Sequence, residues 1–395
     1  MGGESTGEDL VAIDPGEFAP PVDSSVVARL VAVALPGGPA FVETVRRIWD
    51  DGDAVAPLDP AAPPPLRRTQ IEALRPHAII DEDGTRLLDD PLDVLEGDAT
   101  AMLSSGTSGA PRAVVHTHAA IESAAYVSAT ALGVDPDVKW LACLPLHHVG
   151  GFGVVARSLV TAAELEVHPR FDASAVDEAA TRGATHVSLV PTALGRIDST
   201  RWRLILLGGS RPPQDRPPNT VVTYGMTETF GGIVYDHQAL PGNEVTVGAD
   251  GELLVRSPAL ARCLRDGRAL LGSDGWFHTG DLGAIERTTG RVSVSGRAGD
   301  VINTGGEKVW PADVEAVLSL HSAVAEVAVV GRDDPEWGQR VVAVVVAADP
   351  SCPPRLEALR ALVTEHLPPA AAPKELTLVD ALPRTSLGKV RRAEL

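Results

Sequence analysis

Residues 203–229 read RLILLGGSRPPQDRPPNTVVTYGMTET: two short apolar runs, Arg203–Gly209 and Thr220–Gly225, each close on glycine, with a proline-rich polar connection between them. Runs this short, built from Leu, Ile and Val and bounded by Gly and Pro, spell buried strands rather than helices. The pattern repeats backwards along the chain as HVSLVP (His186 to Pro191), WLACLPL (Trp140 to Leu146) and AVVH (Ala113 to His116). Helical stretches alternate with these runs. Thr117 is placed to cap a helix reaching Ala131, and a second helix passes through Val155 to Ala163. The alternation predicts a layered α/β body with largely parallel sheets.

Forward from Gly251 the pattern changes to hairpin-like strands, GELLVRS and RVSVSG, with DG and TG turns between them, which predicts a β flank. After Arg297 comes a compact α+β series: strand Val301 to Asn303, helix Pro311 to Leu320, strands VAEVAVV and RVVAVVVA, helix Leu356 to Leu367, and strand ELTLVD. The reading is therefore a large N-terminal domain over residues 1–296 and a small α+β domain over 297–395. The boundary falls in GRAGD, where Gly296 and Gly299 can absorb backbone rotation. The stretch PLDPAAPPP from Pro57 to Pro65 reads as a stiff surface connection.

Composition excludes several classes of function. A formal charge of −19 over 395 residues repels nucleic acid and anionic membranes, so neither is expected as a partner. Cys143, Cys263 and Cys352 are far apart with no CxxC spacing, which offers neither a disulfide framework nor a zinc site. The acidic start MGGESTGEDL lacks a signal-peptide pattern and no run has the length of a membrane span, so a cytoplasmic address is expected.

Three segments carry candidate chemistry. In Ser104-Ser105-Gly106-Thr107-Ser108-Gly109-Ala110-Pro111-Arg112, small residues expose backbone N–H groups while hydroxyls and Arg112 add donors, as a polyphosphate requires in an acidic protein. The alternative is a plain Ser/Gly surface turn, and the GK[ST] ending of a Walker loop is absent. Thr223 to Thr229 sits at the carboxyl end of a predicted strand, where open α/β sheets bind ligands. There Glu228 beside Thr227 suits Mg²⁺ against a phosphate, or simply caps a turn. Asp281, in GWFHTGDLG, can accept two hydrogen bonds from a ribose diol, or serve only as a turn former.

These segments in this order, followed by GRAGDVINTGGEKV and a terminal LPRTSLGKVRR, resemble the acyl-adenylate-forming superfamily of acyl-CoA synthetases, adenylation domains and luciferases. The resemblance runs from about Leu103 to the C-terminus. It implies an acyl-CoA synthetase-like fold, with ATP and acid bound by the large domain and a small mobile domain that swings between two poses. It implies phosphate binding by Ser104 to Gly109, phosphate and Mg²⁺ at Thr227 and Glu228, ribose at Asp281 and Arg297, and adenine between Gly208, Gly209, Ser210 and Tyr224, with Gly225 and Met226 completing the nucleotide segment. Lys389 would serve the first half-reaction, and Gly305, Gly306, Glu307 and Lys308 would line a tunnel for coenzyme A. Gly299, beside Asp300, stands at the hinge where relatives commonly carry Asp or Lys, and Arg112 stands where they carry Lys.

Within the superfamily, CLPLHHVGGFGVVARSL, VSLVPTAL and YGMTETFGGIVYD look most like the o-succinylbenzoyl-CoA synthetases of bacterial menaquinone biosynthesis, in their short actinobacterial form. Another aryl or medium-chain acyl-CoA synthetase is the alternative, and a non-catalytic nucleotide-binding or carrier-docking module a more distant one. For the acid, Gly231 and Gly232 leave room for a flat ring, and Val190, Pro191 and Leu194 supply an apolar wall. His147 or His148 can close the mouth over the acyl group or simply pack against the phosphate loop, and the resemblance implies His148 as the pocket residue. Arg157 is the candidate donor to a second carboxylate, set against the reading of a snorkelling helix arginine. The expected small molecules are ATP, Mg²⁺, coenzyme A and a carboxylic acid. The oligomeric state is open, a homodimer included.

Overall fold

The computed structural model describes residues 27–104, 112–213, 215–384 and 390–395. Two seven-stranded sheets build the large domain. In the first, Asp98–Ser104, Ala54–Pro57, Leu30–Val33 and Ala78–Asp81 run parallel. Antiparallel strands close its two edges: Arg112–Thr117 with Cys263–Leu264 on one side and Gly84–Leu87 on the other. In the second, Glu164–Val167, Lys139–Ala142, His186–Leu189, Leu204–Leu207 and Thr220–Met226 are parallel, and Gly231–Tyr235 and Gln238–Ala239 turn back antiparallel. The first sheet is thus antiparallel at both edges, whereas the second keeps the parallel strand Glu164–Val167 at one edge and turns antiparallel at the other, where the tight turn Thr227–Thr229 replaces a helical crossover.

The helices Pro39–Asp50, His118–Ala131 and Val149–Thr161 pack between residues of both sheets, and one core joins Val33, Phe41, Val114, Ile121, Trp140, Phe152 and Leu206. The Thr117 hydroxyl accepts from Ala120 N at 3.2 Å, capping the second of these helices as predicted. The third starts earlier than expected, at Val149. Gly151 allows this: a Cβ there would lie 2.4 Å from the Pro145 carbonyl oxygen. In the predicted stiff connection, Pro63 and Pro64 instead begin the helix Pro64–Leu74, where a missing N–H costs nothing.

The β flank is a four-stranded antiparallel sheet in the order Glu244–Val247, Glu252–Arg256, Phe277–Ile285, Val292–Arg297. GELLVRS and RVSVSG are therefore not each other's partners; Phe277–Ile285 lies between them. Beyond them, Ile302–Thr304, Glu307–Val309, Val324–Asp334, Gly338–Ala347 and Glu375–Leu378 form a separate sheet. The helices Pro311–Leu318 and Leu356–His366 cover it over a core of their own that includes Val314, Leu318, Val329, Val341, Leu359 and Val363. No helix among the described residues is long and apolar enough to cross a membrane.

Candidate active site

Tyr224, Gly225 and Met226 end the strand Thr220–Met226 and Arg297 ends Val292–Arg297, whereas Asp281 stands in the middle of Phe277–Ile285 rather than in the turn the sequence suggests. Ser104 and Arg112 face each other in register across an antiparallel pair, and Arg112 is exposed. Ser105, Gly106, Thr107, Ser108 and Gly109 lie outside the described residues, as does Lys389. Gly208 follows the strand Leu204–Leu207 and donates to Leu189 O; a Cβ on it would press on the Thr223 hydroxyl at 2.8 Å. Gly209 adopts φ +88° beside Val190, and Ser210 is exposed. At Gly225 a Cβ would overlap the Gly231 carbonyl oxygen at 1.8 Å, so only glycine lets these two strands meet.

The turn that follows is held from within. The Thr229 hydroxyl accepts from Met226 N at 3.0 Å and donates to Gly231 O at 2.7 Å, while Ala261 N donates to Glu228 O at 2.8 Å. Phe230 continues at φ +50°. The half-buried Glu228 carboxylate has no hydrogen-bond partner among the described residues. With the Thr227 hydroxyl beside it, this donor set fits Mg²⁺, which takes one or two carboxylates and shares the rest of its shell with phosphate and water. Beneath the turn lies the fully buried His116, edge-on to Phe230. Burial lowers its pKa to about 4 against the pull of the Glu228 and Thr227 backbone, so it is neutral. The sequence reading missed His116; its place in AVVH, directly after the phosphate segment, was the available signal.

Asp281 and Arg297 come together in the structure. Arg297 Nε lies 2.8 Å from Asp281 Oδ1, and the Tyr224 hydroxyl donates to Oδ2 at 2.9 Å. Burial, then the neighbouring Asp281 charge, raises the Tyr224 pKa. Tyr224 therefore orients the acidic residue that the sequence assigned to the sugar, a tie across 57 positions that no local pattern announces.

The acid-side residues divide. Arg157 is buried, and neither its Nε nor its Nη1 has a hydrogen-bond partner among the described residues. Its guanidinium lies 4.7 Å from the Trp140 ring centroid, and burial lowers its pKa. It does not snorkel. It lines a small recess of about 20 Å³ together with Ala125, Ser128, Gly153, Gly232 and Tyr235. Ser128 Oγ and Tyr235 Oη are 2.7 Å apart there. Gly231, at φ +112°, has open space where a Cβ would stand. At Gly232 the vacated space is taken by protein: a Cβ would lie 2.6 Å from Tyr235 Cε1 and 3.0 Å from Thr223 Cβ. Val190, Pro191 and Leu194 are not among the lining residues; Leu194 is packed in a core with Leu141, Val187 and Trp202. His148 stands at the head of the helix Val149–Thr161, 4.3 Å from His147 between ring centroids. Burial, then the His147 charge, lowers its pKa to about 3.

In the small domain, Gly299 and Asp300 lie in the short turn Ala298–Asp300, with Asp300 3.8 Å from Arg392. Gly305 and Gly306, at φ +59° and +84°, make the hairpin turn between Ile302–Thr304 and Glu307–Val309. Lys308 pairs with Asn303 and, like Glu307, is exposed.

Residues 90–264 match the AMP-binding enzyme family, and residues 313–389 match the AMP-binding enzyme C-terminal domain. A protein of Mycobacterium tuberculosis named probable 2-succinylbenzoate–CoA ligase is 39% identical over 321 residues, covering 75% of this chain and 83% of that protein. The chain belongs to the adenylate-forming family of AMP-binding enzymes. The family fold is found in o-succinylbenzoate CoA synthetase from Bacillus subtilis in complex with the acyl-adenylate intermediate OSB-AMP. That structure matches with TM-score 0.83 and 26% identity over 94% of this chain and 88% of the other. The same Bacillus enzyme with ATP and magnesium matches with TM-score 0.81 and 27% identity, over 94% and 90%. The large α/β domain and smaller C-terminal domain are thus those of this adenylate-forming fold.

Proposed function

We propose that this adenylate-forming enzyme is an AMP-forming acid–CoA ligase that activates o-succinylbenzoate, a step of menaquinone biosynthesis. The carboxylate of the succinyl arm attacks the α-phosphate of ATP, giving the acyl-adenylate and pyrophosphate. The thiol of coenzyme A then displaces AMP and gives o-succinylbenzoyl-CoA. Activation is needed because a free carboxylate resists attack by a thiolate, whereas AMP is a good leaving group. The observation that carries the choice of acid is Arg157, a buried cation with two nitrogens unpartnered in a recess. Burying such a charge is costly unless a ligand supplies the opposite one, and an acid with a second, aromatic carboxylate does so. The relatives named for 2-succinylbenzoate support the same reading.

In this reading Asp281 and Arg297 grip the ribose, Ser104 to Gly109 with Arg112 take the phosphates, and Gly208 to Ser210 with Tyr224 enclose adenine. Thr227 and Glu228 hold Mg²⁺, which supplies charge neutralisation on the phosphates. His148 borders the acyl group. Lys389 brings an ammonium to the carboxylate and α-phosphate as charge builds. The domain boundary lies at residues 296–297, Gly299 and Asp300 form the hinge, and Gly305 to Lys308 line the coenzyme A tunnel in the second pose. Nothing in this scheme requires a nucleophilic cysteine, and Cys143 is buried with its pKa pushed up to about 12. We assign the enzyme to the cytoplasm, where all three substrates are available. ATP–pyrophosphate exchange across a panel of acids tests the proposal: exchange highest with o-succinylbenzoate is expected, and indifference to it refutes the substrate.

A further inference from the structure

Asp281 is aimed by a chain of hydrogen bonds that begins at the surface. Within the strand Phe277–Ile285, the Thr279 hydroxyl accepts from Asp281 N at 3.0 Å and donates to Leu253 O at 2.7 Å on one side. On the other, Gly280 adopts φ +73° and its N–H donates to Glu252 Oε1 at 2.7 Å. The second Glu252 oxygen lies 2.9 Å from His278 Nδ1, and His278 Nε2 lies 3.1 Å from Asp274 Oδ2. Asp274 is itself held, its other oxygen accepting from Trp276 N at 3.0 Å. Arg256 stacks on Trp276 and donates to the Asp274 and Gly275 carbonyls.

A hydrogen bond to the Gly280 N–H needs only an acceptor, yet here the acceptor is a carboxylate fixed at both oxygens. An ionised carboxylate only accepts, so its second oxygen calls for a donor, and a protonated imidazole donates from both nitrogens at once. The charged groups facing His278 are Glu252 on the adjacent strand Glu252–Arg256 and Asp274 on the preceding loop, with Arg256 behind Asp274. Both carboxylates raise the His278 pKa above its ordinary 6.5, Glu252 first.

We propose that Glu252, held by His278, is a positioning residue for nucleotide binding: it fixes the Gly280 N–H and so the direction of the Asp281 carboxylate toward the ribose hydroxyls. The inference rests on the reading of Asp281 as the ribose acceptor. Above the raised pKa a neutral imidazole can donate to only one of its two carboxylates, so the hold on Glu252 loosens as pH rises.

Steady-state kinetics of the full chain with Asp281→Ala, Glu252→Ala, Glu252→Gln and His278→Gln test it. Glu252→Ala is expected to raise KM for ATP about tenfold, the effect of losing one charge-assisted hydrogen bond, with KM for the acid unchanged and kcat little changed. Glu252→Gln keeps an acceptor for Gly280 and should restore most of the affinity at neutral pH. The wild-type KM for ATP should climb on the alkaline side, and Glu252→Gln and His278→Gln should both flatten that climb. If Glu252→Ala does not fold, the flattening by the isosteric glutamine decides alone. The proposal is overturned if Asp281→Ala raises KM for ATP while Glu252→Ala does not, a result that leaves the ribose reading standing. It is also overturned if every parameter falls together, which marks a merely structural role, or if the alkaline profile persists in Glu252→Gln. If Asp281→Ala leaves KM for ATP unchanged, the ribose reading falls and this inference with it.

Discussion

The proposed ribose grip and the proposed acid recess treat buried charge in opposite ways. Asp281 is held by its own protein, with Arg297 on one oxygen and Tyr224 on the other. Arg157 is equally buried, yet two of its nitrogens have no hydrogen-bonding partner among the described residues and its nearest support is the face of Trp140. The first arrangement is fixed before the nucleotide arrives, which costs little reorganisation on binding. The second leaves a charge with two nitrogens that have no hydrogen-bond partner among the described residues, which costs stability and, in the proposed reading, gives selectivity among acids. The contrast suits an enzyme that uses one nucleotide and must choose one acid.

The largest expected effect concerns neither Asp281 nor Arg157. Lys389→Ala should slow adenylate formation by ~10²-fold or more, as loss of a group stabilising developing charge does, and leave thioester formation from preformed acyl-adenylate nearly intact. Equal loss in separate assays of the two half-reactions would refute its assignment.

Next, Arg157→Ala should lower kcat/KM for o-succinylbenzoate by ~10²-fold while leaving KM for ATP alone, and Asp281→Ala should do the reverse, raising KM for ATP by about tenfold. If either change moves both constants together, the two regions are not separable. The same pair differs in stability. Arg157→Met should raise the melting temperature of the ligand-free protein, since it removes an unpaired buried charge, whereas Asp281→Ala should lower it by orphaning Arg297 and Tyr224. Thermal melts without ligands would show it.

Gly232→Ala tests the wall between the regions. The added methyl must displace Tyr235 or Thr223, and a cost of about 1–3 kcal/mol is expected, with KM for the acid raised more than KM for ATP. The smallest effect is on pH. His116 and His186 have pKa values lowered to about 4 by burial, so the unfolded chain binds protons more readily than the folded one. Their contribution to stability is complete above pH 6.5 and is lost as pH falls from there through about 4. Melts across that range should steepen in the wild type, and His116→Phe should reduce the slope.

Much of this was legible from the sequence because the strands are short apolar runs punctuated by glycine, and Thr117, Pro311 and the Gly305–Gly306 turn follow local rules of capping and backbone freedom. The ordered segments also set Glu228 at the carboxyl end of a strand, whereas Asp281, expected in a turn, stands within the strand Phe277–Ile285. What local pattern cannot show is who stands opposite. Arg157 in GVVARSLV fits an exposed arginine as well as a buried one, and Trp140 and Tyr235, from distant strands, decide the matter. Gly232 looked like room for a substrate ring, but the ring found against it belongs to Tyr235. Glu252 sits in an ordinary strand until Gly280, brought beside it by sheet pairing, gives it a task.

The most direct measurement is ATP–pyrophosphate exchange with o-succinylbenzoate and with its analogue lacking the ring carboxylate, each in the wild type and in Arg157→Ala. A wild-type preference of ~10²-fold for the dicarboxylate that collapses in the variant is the result expected when a buried cation loses its partner. A preference that survives the loss of Arg157 would contradict the account.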